Sequence, residues 1–146
     1  MSSILEFLGS DHRACDEVFA AAEAAVGKQQ WNSARELFEQ FQAAMARHLA
    51  MEEDILFPAF ETHTGMRGGP TAVMRMEHAQ MRDLIQAMGK AVEAGDQDGF
   101  LGLSETLNML MQQHNLKEEN MLYPMSDRVL GSVRESVIQG MKACAP

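Results

Sequence analysis

The sequence predicts an all-α protein, an up-down-up-down four-helix bundle with a short fifth helix at its C-terminal end. Three observations predict it. The composition leans helical, with sparse β-branched residues, 6% aromatics and thirteen Met. Apolar residues recur at helical spacing along four long segments joined by short connections. The chain also repeats itself. His48-Leu-Ala-Met-Glu52-Glu53-Asp-Ile-Leu-Phe57-Pro58 returns 66 residues later as His114-Asn-Leu-Lys-Glu118-Glu119-Asn-Met-Leu-Tyr123-Pro124, and the same shift carries His12 onto His78. Chance aligns one such pair readily. It does not readily align two His, two Glu and a Pro at one offset, so the reading is an internal duplication.

Taken in order, Ser2 or Ser3 can cap a first helix on whose inner face Leu5, Leu8, His12, Cys15 and Phe19 recur. Gly27 is a plausible stop. Ser33 with Glu36 has capping-box spacing and would open the second helix. Its apolar stripe runs through Phe38, Phe41, Met45, His48, Glu52, Ile55 and Leu56. Pro58 either ends or kinks that helix, and the stretch from Thr62 to Gly69 reads as a loop. Pro70 opens the third helix, whose inner face is Met74, His78, Met81 and Ile85, and Gly95 closes it. Asp96 or Asp98 can cap the fourth. There Leu107, Leu110, Met111, His114, Glu118, Met121 and Leu122 form the inner stripe, and Pro124 mirrors Pro58. A fifth helix, roughly Asp127 to Met141, presents Val129, Val133 and Val137 and would pack across one end. Each half is then a helical hairpin, related to the other by a pseudo-twofold axis.

The 146 residues make one domain, 1–146, duplicated as about 1–66 and 67–130. A net charge of −9 argues against nucleic acid or an anionic membrane as partner, but not against metal cations. No apolar run approaches eighteen residues and no signal-peptide pattern is present. Cys15 and Cys144 have no CxxC spacing. A cytoplasmic protein with reduced thiols is the expectation; the oligomeric state is not legible.

The chemistry lies in what four apolar stripes have in common. Each aims a histidine at the centre, and two add a glutamate. His48 with Glu52 and His114 with Glu118 are i, i+4 pairs and project as neighbours; His12 and His78 enter from the other two helices. A buried carboxylate without compensation is very costly. Metal cations supply the compensation, and imidazole with carboxylate suits iron, manganese or zinc. The candidate ligands are His12, His48, Glu52, His78, His114 and Glu118, and the two carboxylates can bridge two metals.

On these residues the chain, from His12 to Pro124, resembles the hemerythrin-like family, the HHE cation-binding domain. The resemblance implies the bundle fold, the same six ligands, and a cofactor of two iron ions in an oxo- or hydroxo-bridged di-iron centre, with manganese or zinc as substitutes. It also implies a diatomic ligand, O2 or NO, in oxygen or nitric oxide response or in iron handling. Met74 stands where the oxygen-carrying members have a further histidine, and His114-x-x-x-Glu118 replaces their His-x-x-x-x-Asp. The closer likeness is to bacterial members with four His and two Glu. Two other classes remain open: a di-iron oxidase or peroxidase, or an iron donor for iron-sulfur cluster repair; and a sensing or interaction domain whose metal only holds the fold. No general acid or base stands out beyond the ligands, so a binding protein is favoured over a dedicated enzyme.

The remaining candidates read more plainly. Glu53 and Glu119 face outward or sideways and would be solvated or would hold a ligand histidine. Glu77 points away from His78 and should be exposed. His63 has Val129 as its repeat partner and belongs to the surface. Cys15 should be a buried small hydrophobe. Tyr123, paired with Phe57, could donate a hydrogen bond near the site, and Met74 should pack rather than ligate.

Overall fold

A computed structural model describes residues 2–144. Its helices are α1 (Ile4–Gly27), α2 (Trp31–Ala50), α3 (Phe57–Thr64), α4 (Pro70–Ala94), α5 (Gln97–Lys117), α6 (Tyr123–Val129) and α7 (Arg134–Lys142), with no strand among the described residues. Two π turns, Met51–Leu56 and Glu118–Leu122, join α2 to α3 and α5 to α6. The result is four long rods and the short α7. The α1–α2 and α4–α5 hairpins pack side by side, with α1 also against α5 and α2 against α4.

Side-chain caps set the starts of α1 and α5. Ser3 caps the start of α1: its hydroxyl accepts from the Glu6 amide and donates to the Glu6 carboxylate. Asp127, far along the chain, accepts from the amides of Ile4 and Leu5 at 2.8 and 3.2 Å and satisfies two more donors of that end. Gly95 ends α4 at φ 67°, and Asp96 then caps α5 by accepting from the Gly99 amide.

Four boundaries differ from the expectations. Helix α2 starts at Trp31, not Ser33: Trp31 packs on the core and against Gly95, and burying its ring draws the start back without a side-chain cap. Pro58 does not end its rod. The preceding turn widens, with the Phe57 amide bonding the Glu52 carbonyl, and helix resumes to Thr64 before Gly65 turns the chain at φ 72°. The loop is therefore only residues 65–69. The fifth helix is α7 alone, because Tyr123–Val129 continues the α5 rod and the turn from Leu130 to Val133 separates the two.

The apolar interior has two parts. One cluster, around Phe19, Phe38, Phe41, Met88 and Phe100, fills the end of the bundle near the hairpin turns. The other, around Leu8, Leu56, Phe57, Phe60, Leu122 and Ile138, fills the end that α7 closes. At about 1.5–3 kcal/mol for each large side chain fully buried, the two ends drive folding. Between them lies a polar belt.

Candidate metal centre

The belt is built by register. Each of the four rods contributes one histidine at the same level, and all four are buried, as are Glu52 and Glu118. All six predicted residues come together. One ligand-capable atom from each of Glu52, His78, His114 and Glu118 falls within 4.8 Å of the others, and so do those from His12, His48 and Glu118. The two groups share Glu118.

The imidazoles are oriented by a single rule. His48 Nδ1 meets Asp11 at 2.7 Å, His114 Nδ1 meets Glu77 at 2.8 Å, His78 Nδ1 meets Glu53 at 2.7 Å and His12 Nδ1 meets Glu119 at 2.8 Å. A carboxylate can only accept, so each Nδ1 carries a proton, and each ring, once neutral, presents the lone pair of Nε2. Those Nε2 atoms converge on the glutamates: His12 and His114 reach Glu118 Oε1 at 3.0 and 3.2 Å, His78 and His48 reach Glu52 Oε1 at 3.1 and 3.5 Å. Of the four, only His12 has hydrogen-bond geometry there. His48, His78 and His114 Nε2, with Glu52 Oε1 and Glu118 Oε2, are buried without a hydrogen-bond partner. Uncompensated buried acceptors cost about 1–3 kcal/mol each. Five in one place, all metal-ligand atoms and all pointing inward, fit a cation-binding centre.

Four carboxylates hold the four rings, and they obey the 66-residue shift: Asp11 pairs with Glu77, Glu53 with Glu119. Asp11 and Glu77 each serve the other helix of their own hairpin, whereas Glu53 and Glu119 reach into the opposite half. Glu53 and Glu119 thus take the ring-holding role allowed for them above. Glu77 corrects an expectation: it is 8% exposed, because Lys117 donates to its second oxygen at 2.6 Å and closes over it. Asp11 was not foreseen. The signal was present, since the repeat pairs an acid immediately before His12 with one immediately before His78, but an acid next to a ligand in sequence reads as pointing elsewhere on the helix.

Tyr123 breaks the symmetry. Fully buried, its hydroxyl donates to Glu52 at 2.7 Å and lies 2.9 Å from Glu118 and 3.1 Å from His12 Nε2. Its repeat partner Phe57 has no hydroxyl and stacks on the His78 ring. Burial, then the charges of Glu118 and Glu52, push the Tyr123 phenol well above its ordinary range, so it stays a neutral donor.

Without a metal the site holds protons instead. Burial, then the charge of Glu118, pushes Glu52 up, towards its neutral form. Burial opposes the charge on Glu118, yet the adjoining Glu52 carboxyl and the His114 and His12 rings hold it well below the usual carboxylate range. Burial also opposes protonation of His114, but the Glu118 carboxylate 3.2 Å away and the charge of Glu52 outweigh it and push its pKa up to about 9.

Beside His12, His48 and His114 lies a cavity of about 10 Å³ lined by Cys15, Met45, Leu49, Met81 and Met111, with Asp16 and Asn115 at its edge. It is at the lower limit for one water-sized molecule. Cys15 is the buried hydrophobe expected: burial, then the nearby Asp11 and Asp16 charges, pushes its thiol up to about 12. Met74 packs in the apolar cluster under α7, and His63 is exposed, bonded to the Ala59 carbonyl. Among the described residues no helix is long and apolar enough to cross a membrane.

Comparison with known proteins agrees with the geometry. The model of the hemerythrin HHE cation binding domain family matches residues 3–126. A relative from Dickeya chrysanthemi (strain Ech1591), the iron-sulfur cluster repair protein YtfE, is 32% identical over 94 residues, covering 58% of this chain and 42% of that protein. The chain thus spans less than half the length of that relative. No solved structure matches.

Proposed function

Because this chain belongs to the hemerythrin HHE cation-binding family, we propose that its polar belt holds two iron ions and takes up one small diatomic ligand, O2 or NO. The observation that carries the reading is the set of partnerless buried lone pairs: three Nε2 atoms and two carboxylate oxygens facing one another, each imidazole fixed from behind by an acid. His12, His48, His78 and His114 would each supply Nε2, and Glu52 and Glu118, one from each half, would bridge. The shared Glu118 of the two candidate groups supports two ions rather than one. Iron there would supply reversible redox chemistry and affinity for O2 or NO. The chain's own part is to orient the rings and to offer the Tyr123 hydroxyl to the Glu52 carboxylate, with a small Met-lined cavity beside His12, His48 and His114.

The test is elemental analysis of protein purified aerobically, followed by titration with NO under electron paramagnetic resonance. Two irons per chain and a saturable NO complex are expected. One metal per chain, or two with no NO uptake, would refute the reading. A second reading, iron delivery, draws on the repair protein to which the chain is similar. Transfer of the iron to an apo cluster protein faster than to a chelator of equal affinity would favour it. The intracellular setting implied by either reading is part of the proposal.

A further inference from the structure

The aromatic rings over the centre obey the 66-residue shift, and one oxygen atom tells them apart. Tyr123 stacks on the His12 ring with centroids 5.6 Å apart and planes at 28°. Phe57 stacks on the His78 ring at 5.6 Å and 23°. The rings are placed alike, and only the first carries a hydroxyl. That hydroxyl lies 3.1 Å from His12 Nε2, 2.7 Å from a Glu52 oxygen and 2.9 Å from a Glu118 oxygen, three atoms that a metal on His12 and His48 would use. His12 Nε2 thus has hydrogen-bond geometry to Tyr123 and, at 3.0 Å, to Glu118. His78 Nε2 has no hydrogen-bond partner.

Two further differences point the same way. On the α4–α5 side Glu52, His78, His114 and Glu118 bring four ligand-capable atoms within 4.8 Å, whereas on the α1–α2 side the set is His12, His48 and Glu118. The acids behind the rings also differ. Arg82 holds Glu53 through two bonds of 2.8 Å, and Lys117 holds Glu77 at 2.6 Å. Behind the first pair, Arg47 stands 3.8 Å from Asp11. Glu119 makes no ion pair with Lys or Arg among the described residues, and 36% of its side chain is exposed. A ring backed by a fixed acid is preorganised for its metal, and one backed by a solvated acid is less so. The open charge of Glu119 also draws cations to the His12 side. The small cavity adjoins both His12 and His48 but, of the second pair, only His114.

We propose that the two metal positions are unequal by construction: the one on His78 and His114 is retained, the one on His12 and His48 exchanges with solution, and the Tyr123 hydroxyl sets the difference by satisfying that position's donors when it is empty. This rests on the two-iron reading above. Filling the His78 side engages atoms that have no partner, so each contact made there is a gain. Filling the His12 side must first part the hydroxyl from His12 and Glu52, so part of the gain is only a replacement. One ion can then be taken up and handed on while the other still neutralises the belt.

The test loads the full chain with ferrous iron without oxygen, counts the iron bound, and follows its removal by an excess of a ferrous chelator. The parent should release its iron in a fast and a slow phase of equal size. In Tyr123→Phe the fast phase should slow by about tenfold and the slow phase keep its rate. Phe57→Tyr is the reciprocal change. Its hydroxyl would meet His78 Nε2 and Glu52 Oε1, which have no partner, and should quicken the slow phase by about tenfold while sparing the fast one. His48→Gln should abolish the fast phase alone. Two irons leaving the parent in one phase would overturn this inference and leave the two-iron reading standing. So would a His48→Gln chain that keeps the fast phase. Loss of an iron in Tyr123→Phe would make the hydroxyl a ligand and likewise overturn it. A parent chain that takes up fewer than two irons would sink the two-iron reading and this inference with it.

Discussion

At the residue scale, each side chain in the belt has a neighbour that decides its chemistry. Asp11 illustrates this: its carboxylate keeps the proton of His48 on Nδ1 and the lone pair on Nε2. Asp11→Asn keeps the shape but can present an N–H and reverse the tautomer. It should weaken metal affinity about 10–100-fold, with Glu77→Gln doing the same at His114; competition with a chelator of known affinity measures it. Equal affinity in both variants would mean the acids only solvate the rings. Protons must also leave before metal enters. His114, raised to about 9 in the metal-free protein, is protonated below that pH and free above it. Metal uptake at pH 7 should therefore release protons, and affinity should fall as pH falls, about tenfold per unit for each proton displaced. Calorimetry in two buffers of different ionisation enthalpy counts them. Met74 carries the opposite expectation. It is the repeat partner of Leu8 and both are buried in one apolar cluster, so Met74→Leu should leave metal content unchanged and cost less than about 1.5 kcal/mol in urea unfolding.

At the element scale, the π turns make the site compatible with the prolines that follow them. Proline has no amide hydrogen, and in a regular helix its ring clashes with the carbonyl four residues back, a cost of about 3 kcal/mol. A wider turn ahead of Pro58 relieves that clash and leaves the rod helical to Thr64. The same turn holds both Glu52, pointing at the buried histidines, and Glu53, reaching His78 across the bundle. Because the structure already accommodates the proline, Pro58→Ala should stabilise the metal-free protein by less than about 1 kcal/mol, far short of what removing a helix-interior proline returns. Urea unfolding of the chelated protein decides it. A gain near 3 kcal/mol would show that Pro58 strains the rod and that the wide turn is not its remedy.

For the whole molecule, the belt separates two apolar ends and has to be neutralised where they meet. Metal binding to the folded state alone adds stability by mass action, about 4 kcal/mol at a thousandfold excess over Kd. For a domain of this size that is roughly 8–16 °C in melting temperature. Chelation should lower the calorimetric transition by about that amount, and readdition of iron should restore it. An unchanged transition, with metal removal confirmed by elemental analysis, would place the metal outside the core. The two ends also differ in closure. One is closed by its own hairpin turns, the other by α7, so exchange of the metal-free protein should be fastest in α7 and the Met51–Thr64 stretch beneath it.

Much of this was legible in one dimension. Helical spacing is local, so the four long stripes and their inward His12, His48, His78 and His114 could be read directly. The repeat could be read too, because a shift of 66 residues needs no coordinates. Glu52 and Glu118 followed, each one turn from a histidine on the same face. Tertiary structure decided what depends on which helix lies beside which, and at what level. The burial of Glu77 came from Lys117 and His114 on the neighbouring rod, and the reach of Glu53 and Glu119 into the opposite half came from the packing of the two hairpins. The π turns balance a proline's missing donor against the continuity of a buried rod, and no short-range propensity carries that balance. The seating of α7 on one half alone had no counterpart in the repeat, because the duplication ends before α7 begins, and packing chose the groove it covers.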